Sequence, residues 1–298
     1  MKSGAVIHKP EGQSFEWGRF LLQCSASVAM GGMLLLFLMI IAFALPVFAE
    51  SGTGGPFSWL WAPGRGSFGI LPMLAGSLCA AGLAVVIGWP IAFALCCWLL
   101  CPEPDTSGFM RGLRAVVGML VRLMTAIPTV VYGFAAVFLL APVIRQALGG
   151  TGFSWLTASL MLSLLILPTI VLVLQAGLET RLEAVALSGL SMGFGRMELL
   201  WYVVLPQARG TLLASAVLGF GRAVGDTMLP LMLAGNATMV PDSLLSGMRT
   251  LTAHMALVTA NEVGGAAYQS LFMAGLFLLV VNAAVSLGAR RMMGRKGD

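Results

Sequence analysis

Arg222 and Asp226 stand four positions apart in GRAVGDTMLP (221–230), inside a stretch that is otherwise as apolar as a lipid tail. On a continuous helix they share one face, one turn apart, while Gly221 and Gly225 form a small-xxx-small pair that lets a neighbouring helix approach closely. A charge near mid-membrane costs several kcal/mol on insertion scales unless it is paired or wetted. Two chemistries fit. A packing salt bridge is one, although the desolvation of a buried ion pair often cancels its attraction. Anion binding is the other: a planar guanidinium matches two oxygens of an oxyanion and keeps its charge when dehydrated. In that reading Asp226 neutralises Arg222 while the path is empty, and Thr227 lies beside it on the same path.

Other polar residues fall into smaller groups. Arg122, about two turns from a cytoplasmic helix end, reads as a side chain that snorkels to the headgroups. Pro128 removes a backbone donor in mid-helix and frees a carbonyl near Met124, so a kink is expected there. Thr125, Thr129 and Tyr132 are placed to hydrogen-bond across it, and Pro128, Thr129 and Tyr132 are candidates for a gate or hinge. Cys97 and Cys101 are one turn apart, but no His or third cysteine at zinc-finger spacing accompanies them, so Cys24, Cys79, Cys96, Cys97 and Cys101 read as small apolar filler. Neither His8 nor His254 belongs to a catalytic grouping. The lysines are Lys2, Lys9 and Lys296, none in a GxxxxGK[ST] setting, so the chain carries no P-loop.

The elements that hold these residues follow from composition. With 58% hydrophobic and 10% charged residues and a mean hydropathy of +0.93, the chain lies outside the globular range, where about a quarter of residues are charged. Apolar runs of roughly bilayer-spanning length recur at 23–48, 69–100, 115–142, 154–177, 208–234 and 267–288. All must be helical, since hydrocarbon offers the backbone no partners; nearly continuous runs such as Met30 to Phe48 exclude the alternation of a β-barrel. With a cytoplasmic N-terminus, Lys2, Lys9, Arg19, Arg111, Arg114, Arg181, Arg196, Arg209, Arg290, Arg291, Arg295 and Lys296 fall inside, against Arg65, Arg145 and Arg249 outside. The net charge of +5 is therefore topological and gives no reason to invoke nucleic acid. The expected layout is a cytoplasmic tail 1–22, a first transmembrane helix 23–48, a periplasmic loop 49–68 with Trp59 and Trp61 at the headgroups, a transmembrane core 69–288, and a cytoplasmic tail 289–298. Within the core, the inside segment 178–207 reads as short amphipathic helices broken at Gly193 and Gly195 and stopped by Pro206. The outside segment 236–266, with Arg249, Thr252 and His254, reads as a re-entrant, interfacial or solvated helix.

Glu183-Ala184-Val185, a glycine, then Val203-Val204-Leu205-Pro206 resembles the cytoplasmic coupling loop of bacterial ABC importer permeases. Gly193 has the family's spacing to Pro206, whereas Gly189 is the glycine that suits Glu183. Either LSMG (190–193) is inserted or Leu187 takes the usual glutamate place. FGILPMLAGSL (68–78), AIPTVVYGF (126–134), GRAVGDTMLPLMLAGN (221–236) and RTLTAHMA (249–256) further resemble the phosphate-specific ABC transporter permeases, in the right order and over more than half of the chain. That family has an arginine at position 222 and usually a glutamate four residues on, where this chain has Asp226.

The resemblance implies an all-α, polytopic protein of about six transmembrane helices with the type I ABC importer permease fold. It implies a bacterial inner-membrane subunit with both termini cytoplasmic, a path for inorganic phosphate through Arg222, Asp226 and Thr227, and ATPase coupling through Glu183, Ala184, Gly189, Gly193, Leu205 and Pro206. The implied partners are a second homologous permease in a heterodimer, a cytoplasmic ATPase dimer that uses the ATP, a periplasmic phosphate-binding protein and the lipid bilayer. No cofactor is expected on this chain, which is not an enzyme by itself. Sulfate or molybdate is the alternative cargo; an ion-coupled secondary transporter with an Arg–Asp proton relay is the other class, and it would need no dock at 178–207.

Overall fold

The computed structural model describes residues 13–50, 57–102, 107–261 and 265–294. The expectations for Lys2, His8, Lys9, Arg295 and Lys296, and for the ends of both tails, lie outside these residues. The described chain is helical: α1 (Gln13–Glu50), α2 (Leu71–Leu100), α3 (Gly108–Ala126), α4 (Thr129–Leu148), α5 (Trp155–Ser191), α6 (Arg196–Gln207), α7 (Arg209–Gly225), α8 (Met228–Leu233), α9 (Leu251–Asn261) and α10 (Gly265–Gly294). A short antiparallel hairpin pairs Trp61 with Phe68 and Ala62 with Ser67 (β1, Trp61–Ala62; β2, Ser67–Phe68).

The core is the bundle of α2, α5 and α7. Small residues let the backbones close up: a Cβ on Gly88 of α2 would come within 3.1 Å of the Ser163 carbonyl of α5, and one on Gly219 of α7 within 2.8 Å of Ile170. Trp89 of α2 donates its indole N–H to Ser215 of α7 at 3.0 Å, which satisfies the polar handle of a half-buried ring. Ser154 caps α5 by accepting the N–H of Thr157. Outside the core α1 packs on α10, where Phe43 stacks on Phe272.

Five helices are long and apolar enough to span, or six if α6 and α7, bent by 79° at Ala208, count as one broken span. Two expected spans are corrected. The third is not one kinked helix over 115–142: Pro128 drives Ile127 out of the helical region (ψ 126°), so α3 stops at Ala126, and the spanning helix is α4 at 129–148. The fifth is not continuous over 208–234 either. Pro230 would collide with the Asp226 carbonyl if the helix ran on, so α7 ends at Gly225 and α8 restarts with the proline in its first turn.

The inner segment also differs from the expected chain of short helices. Residues 178–191 continue α5, the turn lies at Met192–Gly195, and Pro206 sits inside α6, one residue before its end, without stopping it. The outer segment becomes a loop pinned to the start of α5 by bonds from Trp155 and Leu156 to Ser246 and Leu244, followed by the eleven-residue α9. The first turn of α9 is buried, so it is a packed helix and not a solvated one. Trp61 leaves the interface role to Trp59, which is 63% exposed; its own ring packs edge-on against Phe68 and His254.

Candidate functional site

Arg222 lies on α7 and points at α5, where it donates to the Thr169 hydroxyl. Thr169 is fourteen residues into α5, about 21 Å along its axis from the end that holds the 244–246 loop. The guanidinium is half-buried there, well inside the 37-residue α5. Asp226 does not pair with it. Once the helix has ended, the Asp226 carboxylate turns to the new one and accepts the Leu229 N–H at 2.8 Å, capping α8. The Asp226 carbonyl, freed by the break, accepts from Thr252 of α9 at 2.9 Å. The expected self-neutralising pair is therefore replaced by a cap on one side and, on the other, an arginine with no carboxylate partner among the described residues. Thr227 opens onto a groove of about 480 Å³ shared with Thr252, Thr259 and Leu278.

At the break between α3 and α4, Tyr132 donates to the Met124 carbonyl at 2.9 Å, the carbonyl that Pro128 leaves free. Thr125 bonds back to Arg122, whose side chain is exposed, and Thr129 is half-buried on the first turn of α4. One residue past Tyr132, Gly133 takes Met232 of α8 against its backbone. The proline break and the break after Arg222 are thus in contact.

The far end of α5 forms the second region. Gly193 has φ +89° and closes a Schellman turn: Phe194 N–H bonds the Gly189 carbonyl and Gly193 N–H bonds that of Leu190, each at 3.1 Å. A Cβ at Gly189 would sit 2.3 Å from Leu199, so Gly189 is where α6 crosses α5. The two glycines do different jobs, and the chain needs both. Gly195 starts α6, its N–H held by the Glu198 carboxylate at 2.8 Å. Glu183 lines a pocket of about 150 Å³ with Glu179 and Arg196, and Ala184 is exposed beside it. Leu187, Met192 and Tyr202 are 85%, 75% and 78% exposed at this tip, while Leu205 is buried and Pro206 exposed. Cys101 faces the Arg196 carbonyl, and burial pushes its thiol up from the ordinary range against the pull of Arg196 and Arg114.

Two features escaped the sequence reading. Thr169 carries no signal of its own, being 53 residues from Arg222. The capping role of Asp226 left an unread signal in D-x-x-L-P, where a proline fits the first turn of a new helix.

Residues 107–294 match the family described as "Binding-protein-dependent transport system inner membrane component". The chain belongs to that family. It is therefore a transport component, a multi-pass membrane permease subunit of the ABC type. Curated relatives include the "Phosphate transport system permease protein PstC" of Mesorhizobium japonicum, 28% identical over 88% of this chain and 86% of that one, and its namesake from Xylella fastidiosa, 29% identical over 80% and 78%. The "Probable ABC transporter permease protein YqgH" of Bacillus subtilis is 27% identical over 94% and 91%. Among solved structures, a chain of a bacterial ABC transporter involved in alginate import superposes with a TM-score of 0.62 at 16% identity, covering 96% of this permease and 99% of that chain. A chain of the MetNI methionine ABC transporter gives 0.55 at 19% identity, covering 80% and 96%. The fold is that of the type I importers.

Proposed function

We propose that this permease forms half of the path for inorganic phosphate in an ATP-driven importer of the inner membrane. The relatives named for phosphate transport support the cargo. The observation that carries the site is Arg222: a half-buried guanidinium whose hydrogen bond goes to the neutral Thr169, with Asp226 near enough for its field to be felt but turned away to cap α8 and making no ion pair with it. Such a group attracts a dehydrated oxyanion and releases it again without first breaking an ion pair. Thr227 lines the path beside it, and Asp226 serves it by holding the helix break open. Pro128, Thr129 and Tyr132 act as the hinge that follows that break.

The tip at 178–207 faces the cytoplasm, as do both termini, and docks a dimeric ATPase through Glu183, Ala184, Leu205 and Pro206, with Gly189 and Gly193 setting the shape of the dock. ATP is bound and hydrolysed by that partner, and this chain takes no cofactor. A second, homologous permease completes the path, and a periplasmic binding protein delivers phosphate at the opposite end. The transmembrane core is 69–288, preceded by a separate first helix.

Uptake of radiolabelled phosphate by proteoliposomes carrying the whole complex, with sulfate and molybdate as competitors, tests the reading. Arg222→Ala stops uptake despite normal assembly, and Arg222→Lys rescues it poorly because an ammonium lacks the bidentate fork. Parental uptake by an Arg222→Leu complex would remove Arg222 from the path. Stronger competition by sulfate or molybdate than by unlabelled phosphate would reassign the cargo.

A further inference from the structure

We propose that Arg249 is a second anion-binding residue, a receiving site at the end of the path opposite the ATPase tip, which takes the oxyanion before Arg222 does. The inference rests on the reading of Arg222 as the oxyanion site of the path. Arg249 lies just before α9, in the loop bonded to the start of α5, whereas the tip lies at the other end of that 37-residue helix, about 55 Å away.

The site is built. The backbone at Arg249 is clamped on α2: Gly76 lies so close to the Arg249 carbonyl that a Cβ there would come within 2.4 Å, and Ser77 accepts the Leu251 N–H at 2.7 Å. On the other side Arg249 Nε donates at 3.1 Å to the carbonyl of Asn236, a residue held at φ +55°. Met248 N–H bonds the Ala234 carbonyl and fixes the pairing of the two strands of loop. With Nε anchored, the planar fork is held in one orientation, and its two terminal nitrogens have no protein partner among the described residues. Preorganisation of this kind is what bidentate capture of an oxyanion requires.

The charge is also uncompensated. No described carboxylate comes within ion-pair distance, and burial alone lowers the hold of Arg249 on its proton, with no acidic neighbour to offset it. Around it are three buried polar atoms with no partner: Asn236 Oδ1 and both ring nitrogens of His254, whose ring is fully buried against Trp61. Burial, and with it the field of Arg249, keeps the His254 imidazole neutral, so it has one N–H to give and one nitrogen to accept. Orphaned polar atoms in a native structure ask for a partner. A phosphate that retains a hydroxyl offers both acceptors for the fork and a donor for Asn236 Oδ1, which has no partner; sulfate offers acceptors only, and so leaves that protein acceptor unpaired.

The position also connects to Arg222. The hydroxyls of Thr250 and Thr252 lie 3.2 Å apart, and Thr252 bonds the Asp226 carbonyl, one turn beyond Arg222. The loop that carries Arg249 and the break that follows Arg222 are thereby one connected structure.

Charge rescue at a substituted cysteine tests the proposal in proteoliposomes of the full complex. Cys24, exposed in the first helix, is changed to Ser in all variants, and that parent provides the reagent control. Arg249→Cys lowers phosphate uptake about tenfold or more, the loss expected for a charged hydrogen bond to the substrate. A trimethylammonium-bearing thiosulfonate restores most of it, its sulfonate counterpart does not, and external phosphate slows the labelling. Parental uptake by Arg249→Cys and Arg249→Gln, or equal restoration by both reagents, overturns the proposal. If the cysteine variant fails to assemble, Arg249→Lys, which keeps charge, against Arg249→Met, which keeps bulk, makes the same comparison. A wrong cargo is seen separately: the Cys24→Ser parent then imports the competing anion and not phosphate, and the charge rescue is read with that anion.

Discussion

A carboxylate and an imidazole illustrate how the same buried surroundings set different sensitivities at single residues. Asp226 earns its position as an acceptor for the Leu229 N–H, and asparagine accepts that bond nearly as well. Asp226→Asn is thus expected to leave assembly and uptake close to parental, while Asp226→Leu loses the cap at about 0.5–2 kcal/mol and lowers the thermal midpoint. Equal damage from both changes would instead point to the carboxylate charge. His254 is the acid-sensitive residue: burial first, and the charge of Arg249 second, lower its pKa to about 4 from the ordinary 6.5. Its folded form binds the proton less readily than its unfolded form, so the unfolded chain takes up protons first as the medium is acidified. Stability is accordingly full above pH 6.5 and falls as the pH drops toward about 4, by about 3 kcal/mol at the limit. Thermal unfolding of the detergent-solubilised protein between these limits measures the slope, which His254→Gln removes; an unchanged slope in that variant would place the sensitivity elsewhere.

Among the elements, the turn at the tip of α5 separates two glycines that look interchangeable in sequence. Gly193 needs a left-handed backbone in open space, so Gly193→Asn is tolerated and Gly193→Val is not. Gly189 needs the absence of a side chain, so Gly189→Val forces α6 off α5 through Leu199 whatever the backbone does. Both valine variants are expected to lose ATPase association in pull-down from membranes, with Gly193→Asn retaining it; loss in the asparagine variant as well would mean that the glycine is needed for contact and not for shape. The ambiguity over Glu183 has the same origin. Its spacing to Gly189 serves the helix crossing, and the four residues to Gly193 extend α5 by about one more turn before the chain reverses. Hydropathy located the apolar runs well because bilayer thickness dictates length. Hydropathy alone hid the break at Asp226, where Pro230 four residues on overrules a long apolar pattern, and Pro128, read as a kink, in fact ends α3 at Ala126. The pairings of Arg222 with Thr169 and of Gly133 with Met232 were beyond reach, since they depend on which helices adjoin and not on either helix's own sequence.

Taken whole, the molecule is a three-helix core with one loosely attached helix and two working ends. The spanning stretch of α1 is only 6% buried, and its contacts run to α10 through Phe43 and Ile40. Replacing α1 by an unrelated transmembrane helix of the same length and orientation is therefore expected to preserve co-purification with the ATPase; its loss would show that α1 holds the core together. The 79° elbow at Ala208 has a mechanical meaning. The 17-residue α7 is the long arm of a bell crank whose short arm is α6, and Arg222 sits fourteen residues, about 21 Å, from the pivot at Ala208. A tilt of about 10° at the elbow sweeps the guanidinium through about 3.5 Å on that arm, farther than the length of one hydrogen bond. If the tip and Arg222 act as proposed, a small shove at the tip would be geared up by this arm into separation of Arg222 from Thr169, with no side chain along the way having to carry the signal.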